Sequence, residues 1–302
     1  MDGADPLVEH LLARCTFPPA GTPVTCAVSG GADSLALLVL ATAAGCEVTA
    51  AHVDHGLRDG SAAEAARVAT VATRVGAAFW GVRVEVRPGG NLEARARAAR
   101  YAALPADVLT GHTADDQAET MLLNLIRGAG LDGLAGIRPE GRPLLRLRRA
   151  ETRALCDALD LEPFEDPSNA SADHRRNRVR HELLPLLDEV GERDVAAVLA
   201  RQAVHLRDAA DHLAGEAAAI DPTDARAVGA APPVLARIAV RRWVAEATDL
   251  GHPLDAAAVD RVLAVARLEA RAADLLGGWR VARRAGRLRL VPPEVQAGDP
   301  TT

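Results

Sequence analysis

Val24-Thr25-Cys26-Ala27-Val28-Ser29-Gly30-Gly31-Ala32-Asp33-Ser34-Leu35-Ala36-Leu37-Leu38 is the stretch on which the fold turns. Val24 to Val28 reads as a short buried strand, Ser29-Gly30-Gly31 as a tight turn, and about Asp33 to Ala44 as a helix. Two glycines let the backbone turn sharply and approach a ligand, and the following helix presents free N–H groups to an anion. Ser29 and Ser34 add hydroxyl donors, and Asp33 can hold a Mg2+ that bridges phosphates. The run is not a Walker A loop. Its Gly-Lys-Ser/Thr ending is missing, and all 35 basic residues of the chain are arginine. An ordinary strand–helix turn would account for Ser-Gly-Gly alone; six such residues in the first strand–helix unit favour a phosphate site.

Outward from this run, apolar strands alternate with helical patterns. Glu47 to Val53 reads as a strand and Ser61 to Val75 as a helix opened by a capping box of Ser61 and Glu64. Phe79 to Val86 is a third strand, Leu92 to Leu104 a helix, Asp107 to Thr110 a short fourth strand, and Asp115 to Ile126 a strong helix. Such repetition implies right-handed crossovers and an α/β fold, a mostly parallel sheet with flanking helices. Glu151 to Leu159 and Asn177 to Leu187 look helical, with a loop from Glu162 to Asn169 between them. Asp194 to Ala266 is Ala/Leu/Arg-rich at helical spacing, broken at Asp221-Pro222 and Pro232-Pro233, and Trp279 to Val291 fits a hairpin turning at Ala285-Gly286. The expected division is a catalytic α/β domain over 1–194 and a smaller, mainly helical domain over 195–302.

Composition narrows the function classes. Of 302 residues, 49% are hydrophobic and 25% charged, so a substantial core is possible. Aromatics are only 2%, so any stacking platform for bases rests on very few rings. A net charge of −6 argues against a chain coated in positive charge, though it allows a basic face on an acidic body. The longest apolar run, Leu35 to Cys46, has 12 residues, whereas a membrane helix needs roughly 20. Met1 to Asp5 lacks the basic and apolar regions of a signal peptide, so a cytoplasmic protein is expected. Cys15, Cys26, Cys46 and Cys156 form no close pair, which suits neither a zinc knuckle nor a redox dithiol.

Three further constellations carry chemistry. His112, Asp116 and Glu119 recur at four and three residues, so a helix beginning at His112 would place them on one face. Acids at a helix start can simply complement its dipole, but beside a phosphate loop at the carboxyl ends of parallel strands they suit a ligand. Arg97 and Arg100, with Tyr101 beside them, fit either a solvated helix face or a nucleotide-facing one. Arg142, Arg146, Arg148, Arg149 and Arg153, then Arg175, Arg176, Arg178 and Arg180, form two dense clusters. Phosphate neutralisation and arginine-rich coding bias both explain them.

These stretches, in order, resemble the N-type ATP pyrophosphatases (PP-loop proteins), and among them the tRNA(Ile)-lysidine synthetases. The likeness rests on Ser29 to Ser34, His52 to Arg58, Asn91 to Tyr101, Gly111 to Thr120, Arg127 to Leu131, and Asp166 to Asn169 leading into Arg176 to Arg180. It implies an adenine-nucleotide-hydrolase-like fold, ATP and Mg2+ as cofactors, and two partners: a tRNA(Ile) with a CAU anticodon and free L-lysine. It also implies ATP contacts at Ser29, Gly30, Gly31, Ala32, Asp33, Ser34, His52, Asp54 and His112, and metal binding by Asp33 and Asp116. The catalytic set it implies is Asp33, Asp116, Glu119, Arg97 and Arg178, with Glu119 gripping the lysine amine. tRNA contacts fall on Arg100, Arg146, Arg148, Arg149, Arg176, Arg178 and Arg180. A metal site of His52 with His55 would lack a third partner. One departure is His174, where the family commonly has an aromatic residue. Relative to the longest members, a single C-terminal domain is expected. The alternatives are a PP-loop tRNA sulfurtransferase, for which the cysteines are too isolated, and a nucleotide-binding module without catalysis, which would not need the acids and both arginine clusters.

Overall fold

The structure is a computed structural model that describes residues 5–54, 61–84, 95, 98–99, 102–164, 175–248, 250 and 254–293. Two compact units are present, Met1–Leu206 and Arg207–Thr302, the division falling inside a helix. The helix expected over Leu92–Leu104 lies largely outside the described residues, as do Glu85 and Val86 at the end of the expected third strand.

In the first unit a parallel sheet runs in the order β1 (Pro23–Ala27), β2 (Glu47–Asp54), β3 (Ala78–Arg83). The fourth strand expected at Asp107–Thr110 shrinks to one parallel bridge, Cys26 to Leu109. The Leu109 N–H and C=O both bond to β1, but the next N–H, that of Thr110, turns away to the Gly141 carbonyl at 2.9 Å. The ladder therefore ends after one residue. Helix α1 (Pro6–Leu12) precedes the sheet, and α2 (Ala32–Ala43) follows β1. Every residue of α2 from Ser34 to Ala41 is buried, which is why its sequence is apolar on all sides. Its core partners include Val28, Val48, Val68, Leu144, Leu147 and Leu155. Helix α3 (Ser61–Val75) matches its expected bounds, and α4 (Ala114–Ile126) begins one residue early.

Beyond the short helix α5 (Leu131–Leu134), α6 (Arg149–Ala158) places Leu155 and Cys156 in the same core. The helix expected at Asn177–Leu187 is composite. A turn of α-helix, α7 (Arg175–Arg178), passes into a π-helical turn, Val179–Leu183, and then into α8 (Leu184–Gly191). Val179 and Leu184 pack on Ala118 and Leu122 of α4.

Helix α9 (Val195–Ala218) contains the division between units. The second unit has α10 (Ala225–Ala230), α11 (Pro233–Ala247) and α12 (Ala256–Ala266), whose Val228, Val240, Val262 and Leu263 form its core. The Asp221-Pro222 break falls between α9 and α10, while Pro232 caps α11 and Pro233 opens it. The hairpin of β5 (Arg280–Arg284) and β6 (Arg287–Val291) turns at Ala285-Gly286, both with positive φ, at 49° and 79°. A third strand, β4 (Ala272–Asp274), pairs with β5 and carried too short a pattern to stand out in the sequence.

Candidate active site

The loop Ser29–Ser34 sits at the carboxyl end of β1. Gly30 holds φ at +88°, which a side chain would resist, and its carbonyl accepts the Phe164 N–H at 2.8 Å. Ser34 is turned inward: its hydroxyl accepts the N–H groups of Ser29 and Gly30 at 3.2 and 3.1 Å and donates to the Gly31 carbonyl at 2.8 Å. Its role in this geometry is to shape the loop. His52, buried near the end of β2, donates its Nδ1 proton to the Val28 carbonyl at 2.8 Å, a tautomer assigned from the acceptor. His112 shares a 2.7 Å hydrogen bond with Thr110.

Asp33 opens α2, and α4 presents Asp115, Asp116 and Glu119. At Gly111, just before α4, an added Cβ would lie 2.5 Å from the Asp33 carbonyl oxygen. Only glycine lets the two segments approach this closely. Asp116 reaches back over the start of α4 to accept the Thr113 N–H at 2.9 Å and its hydroxyl at 3.0 Å.

The acids are met by arginines. Arg149 donates to Asp116 at 3.0 Å, to Glu119 at 3.1 Å and to Asp33 at 3.5 Å. Arg176 reaches Glu119 at 2.7 Å and Asp116 at 2.9 Å, and Arg180 reaches Glu119 at 2.7 Å. Glu119 is wholly buried. Burial acts against its charge, but Arg180 and Arg149 outweigh that and hold its carboxyl below the usual range. Asp116 is likewise lowered, burial being overcome by Arg149 and Arg176. Asp33 goes the other way: burial raises it, and the Thr152 hydroxyl and Arg149 only partly offset the rise.

Of the arginines expected to meet tRNA, five are therefore directed at carboxylates. Arg149, Arg176 and Arg180 hold the set above, and Arg148 grips Asp115 with two donors at 2.9 and 3.0 Å and also pairs with Asp194. Arg178 is exposed and pairs with Glu182, and Arg146 is exposed. Arg97, Arg100, His55 and Asp166–Asn169 lie outside the described residues. The sequence reading gave no role to Thr152, which donates to Asp33; its spacing of three from Arg149 on one helix was the available signal. No group of three or more His, Cys, Asp or Glu side chains suited to a metal ion occurs among the described residues.

A family model for the PP-loop domain matches residues 8–187. The tRNA(Ile)-lysidine synthase of Nocardia farcinica is 47% identical over 79% of this chain and 78% of that protein. Those of Rhodococcus jostii and Salinispora tropica are 43% and 42% identical, over 94% and 96% of both partners respectively. Among solved structures, the U34-tRNA thiolase NcsA from Methanococcus maripaludis, with its [4Fe-4S] cluster, superposes with a TM-score of 0.55 at 16% identity. That likeness covers 67% of this chain and 78% of the thiolase, and it concerns the fold alone. The domain match and the relatives that align along nearly the whole chain agree, and the chain belongs to the tRNA(Ile)-lysidine synthase family.

Proposed function

We propose that this chain uses ATP to join lysine to carbon 2 of the wobble cytidine of a tRNA(Ile) with a CAU anticodon. The observation that carries the reading is the union of Asp33, at the phosphate loop, with Asp116 and Glu119 in one charge cluster. A triphosphate at the loop and an amine at the acids would then lie side by side. The cytosine O2 attacks the α phosphate, an O–P bond forms, and pyrophosphate leaves. The ε-amine of lysine, once deprotonated, attacks carbon 2, and AMP departs with the O2 oxygen. Holding base, nucleotide and amine together supplies much of the rate.

Asp33 and Asp116 are hard oxygen donors beside a phosphate loop, a pair whose chemistry suits Mg2+. These two residues would hold the ion, which when bound offsets charge on the phosphates. Asp116 and Glu119, kept ionised by their arginines, present negative charge to the ammonium of lysine. For Glu119 to grip that ammonium, an arginine contact must be exchanged for it. Of the described arginines expected to meet tRNA, Arg146 and Arg178 are the exposed ones, and Arg178 would exchange its Glu182 pair for a phosphate. No helix of the described residues is long and apolar enough to cross a membrane.

Sulfur transfer is the less favoured reading. Burial raises the thiols of Cys15 and Cys26 to about 12 and that of Cys156 to about 11, so none is a ready thiolate nucleophile. The test is pyrophosphate release with ATP, lysine and an unmodified tRNA(Ile) transcript, each omitted in turn, followed by mass analysis of the nucleosides. The expected product is cytidine carrying lysine with loss of water. Release that ignores the tRNA, or a thiolated nucleoside, would reject the reading.

A further inference from the structure

Arg149 stands where three carboxylates converge. Nε faces Asp33 at 3.5 Å, Nη2 faces Asp116 at 3.0 Å and Nη1 faces Glu119 at 3.1 Å. Asp33 belongs to α2 and the other two acids to α4, so one side chain ties the helix after the phosphate loop to the helix that carries the acids. Each nitrogen of the fork serves a different acid, an arrangement that a compact ammonium could not reproduce. The fork is itself delivered by Asp115. That carboxylate accepts the Arg149 backbone N–H at 2.7 Å while gripping the neighbouring Arg148 side chain, which pins the start of α6 to the start of α4.

The charge count is informative. Asp33, Asp116 and Glu119 face Arg149, Arg176 and Arg180, a set that is formally neutral. Arg149 is half-buried, unlike the exposed Arg146 and Arg178. Arg149 spends its donors on acids, and those acids lift its proton affinity further, against the cost of burial. Without it, three negative groups would share one region with only two cations beside them.

We propose that Arg149 is a positioning residue of the active site: it sets Asp33 at the phosphate loop in register with Asp116 and Glu119. This rests on the functional reading above, which assigns Asp33 to the ATP step and Glu119 to the lysine step. Both steps should therefore suffer together when Arg149 is lost, while tRNA binding should not.

The experiment compares the full wild-type chain with Arg149→Ala and Arg149→Lys. tRNA affinity is measured at several salt concentrations, pyrophosphate release at saturating tRNA, and KM for lysine. Arg149→Ala should keep its tRNA affinity within about twofold and its salt slope unchanged. Its kcat for pyrophosphate release should fall about 100-fold, and its KM for lysine should rise about tenfold. Ethylguanidinium at millimolar concentration should restore a large part of the rate, whereas ethylammonium should not, and Arg149→Lys should stay impaired. Weaker tRNA binding with a slope reduced by about one and normal turnover at saturating tRNA would make Arg149 a phosphate ligand and overturn the proposal. If circular dichroism finds Arg149→Ala unfolded, Arg149→Ala/Glu119→Gln relieves the charge, and ethylguanidinium rescue of pyrophosphate release is read there. No rescue in that folded variant also overturns it. A wild type that releases no pyrophosphate rejects the functional reading, whereas an active wild type with a fully active Arg149→Ala rejects only the proposal.

Discussion

A methyl group at Gly111 would sit 2.5 Å from the carbonyl oxygen of Asp33 and 2.8 Å from its carbonyl carbon. Both neighbours are backbone, so relief has to come from moving the start of α2 or the approach to α4. Gly111→Ala is therefore expected to cost about 1–3 kcal/mol in stability and to cut pyrophosphate release at least tenfold, because Asp33 shifts within its cluster. Thermal melts and a pyrophosphate assay check both parts; a stable variant with full activity would mean the close approach is not sensed at the site. Asp33→Asn separates charge from shape. Its amide keeps the volume and can still accept from the Thr152 hydroxyl, but it lacks the negative charge for a metal ion and for Arg149. The expected outcome is an intact fold, read by circular dichroism, with pyrophosphate release abolished. Normal release by the folded variant would remove Asp33 from the reaction centre.

At the scale of elements, much of the fold was legible because its signals are local. Strands β1 and β2, helices α2, α3 and α4, and the β5–β6 hairpin all announce themselves through apolar periodicity, capping residues or a turn with positive φ. What stayed hidden depends on partners far along the chain. Leu109 stops as a bridge because Thr110 bonds to Gly141. The π-helical turn Val179–Leu183 widens the helix where Arg180 leaves it for Glu119, 61 residues away, and nothing local marks it. Acids and arginines were all visible as candidates, but a sequence does not say which cation meets a phosphate and which meets a carboxylate. The pairing gives α4 a defined acid response. Asp115, Asp116 and Glu119 are held below their ordinary values of 3.8, 3.8 and 4.5. Their stabilising effect is complete above those values and drains as pH falls through the lowered ones. Asp33 has the opposite sign: its contribution is complete below 3.8 and is lost as pH climbs through the raised value. Glu119→Gln removes one acid from the lowered set. Urea melts from pH 3 to pH 6 should find the variant about 3 kcal/mol less stable at the upper end, with the gap closing toward the lower end. A gap that stays constant with pH would show that the Glu119 charge plays no part in holding α4 to its arginines.

At the scale of the whole molecule, charge is distributed unevenly over a chain whose net value is −6. In the second unit, Val281 and Leu288 face the core, and the opposite face of the β5–β6 hairpin exposes Arg280, Arg284, Arg287 and Arg289. Arg280 pairs with Asp274 and Arg287 with Asp221, while Arg283 on the inner face donates to the Ala266 carbonyl. Arg284 and Arg289 have no acid or carbonyl partner among the described residues. A strand face that gathers exposed arginines, two of them with no acid partner among the described residues, suits the phosphates of a long polyanion. A solvent-facing hairpin in an arginine-only protein would look similar in composition, so binding has to decide. Replacing Arg284, Arg287 and Arg289 together by glutamine leaves the apolar face of the hairpin untouched, and the fold should survive. The variant is expected to bind tRNA more weakly, with its salt slope reduced by up to about one log unit for each phosphate left unneutralised. Turnover at saturating tRNA should stay close to wild type, because the phosphate loop and its acids belong to the first unit. An unchanged affinity and an unchanged slope would leave this face without a role in holding RNA, and tRNA binding would then fall to the exposed arginines of the first unit alone.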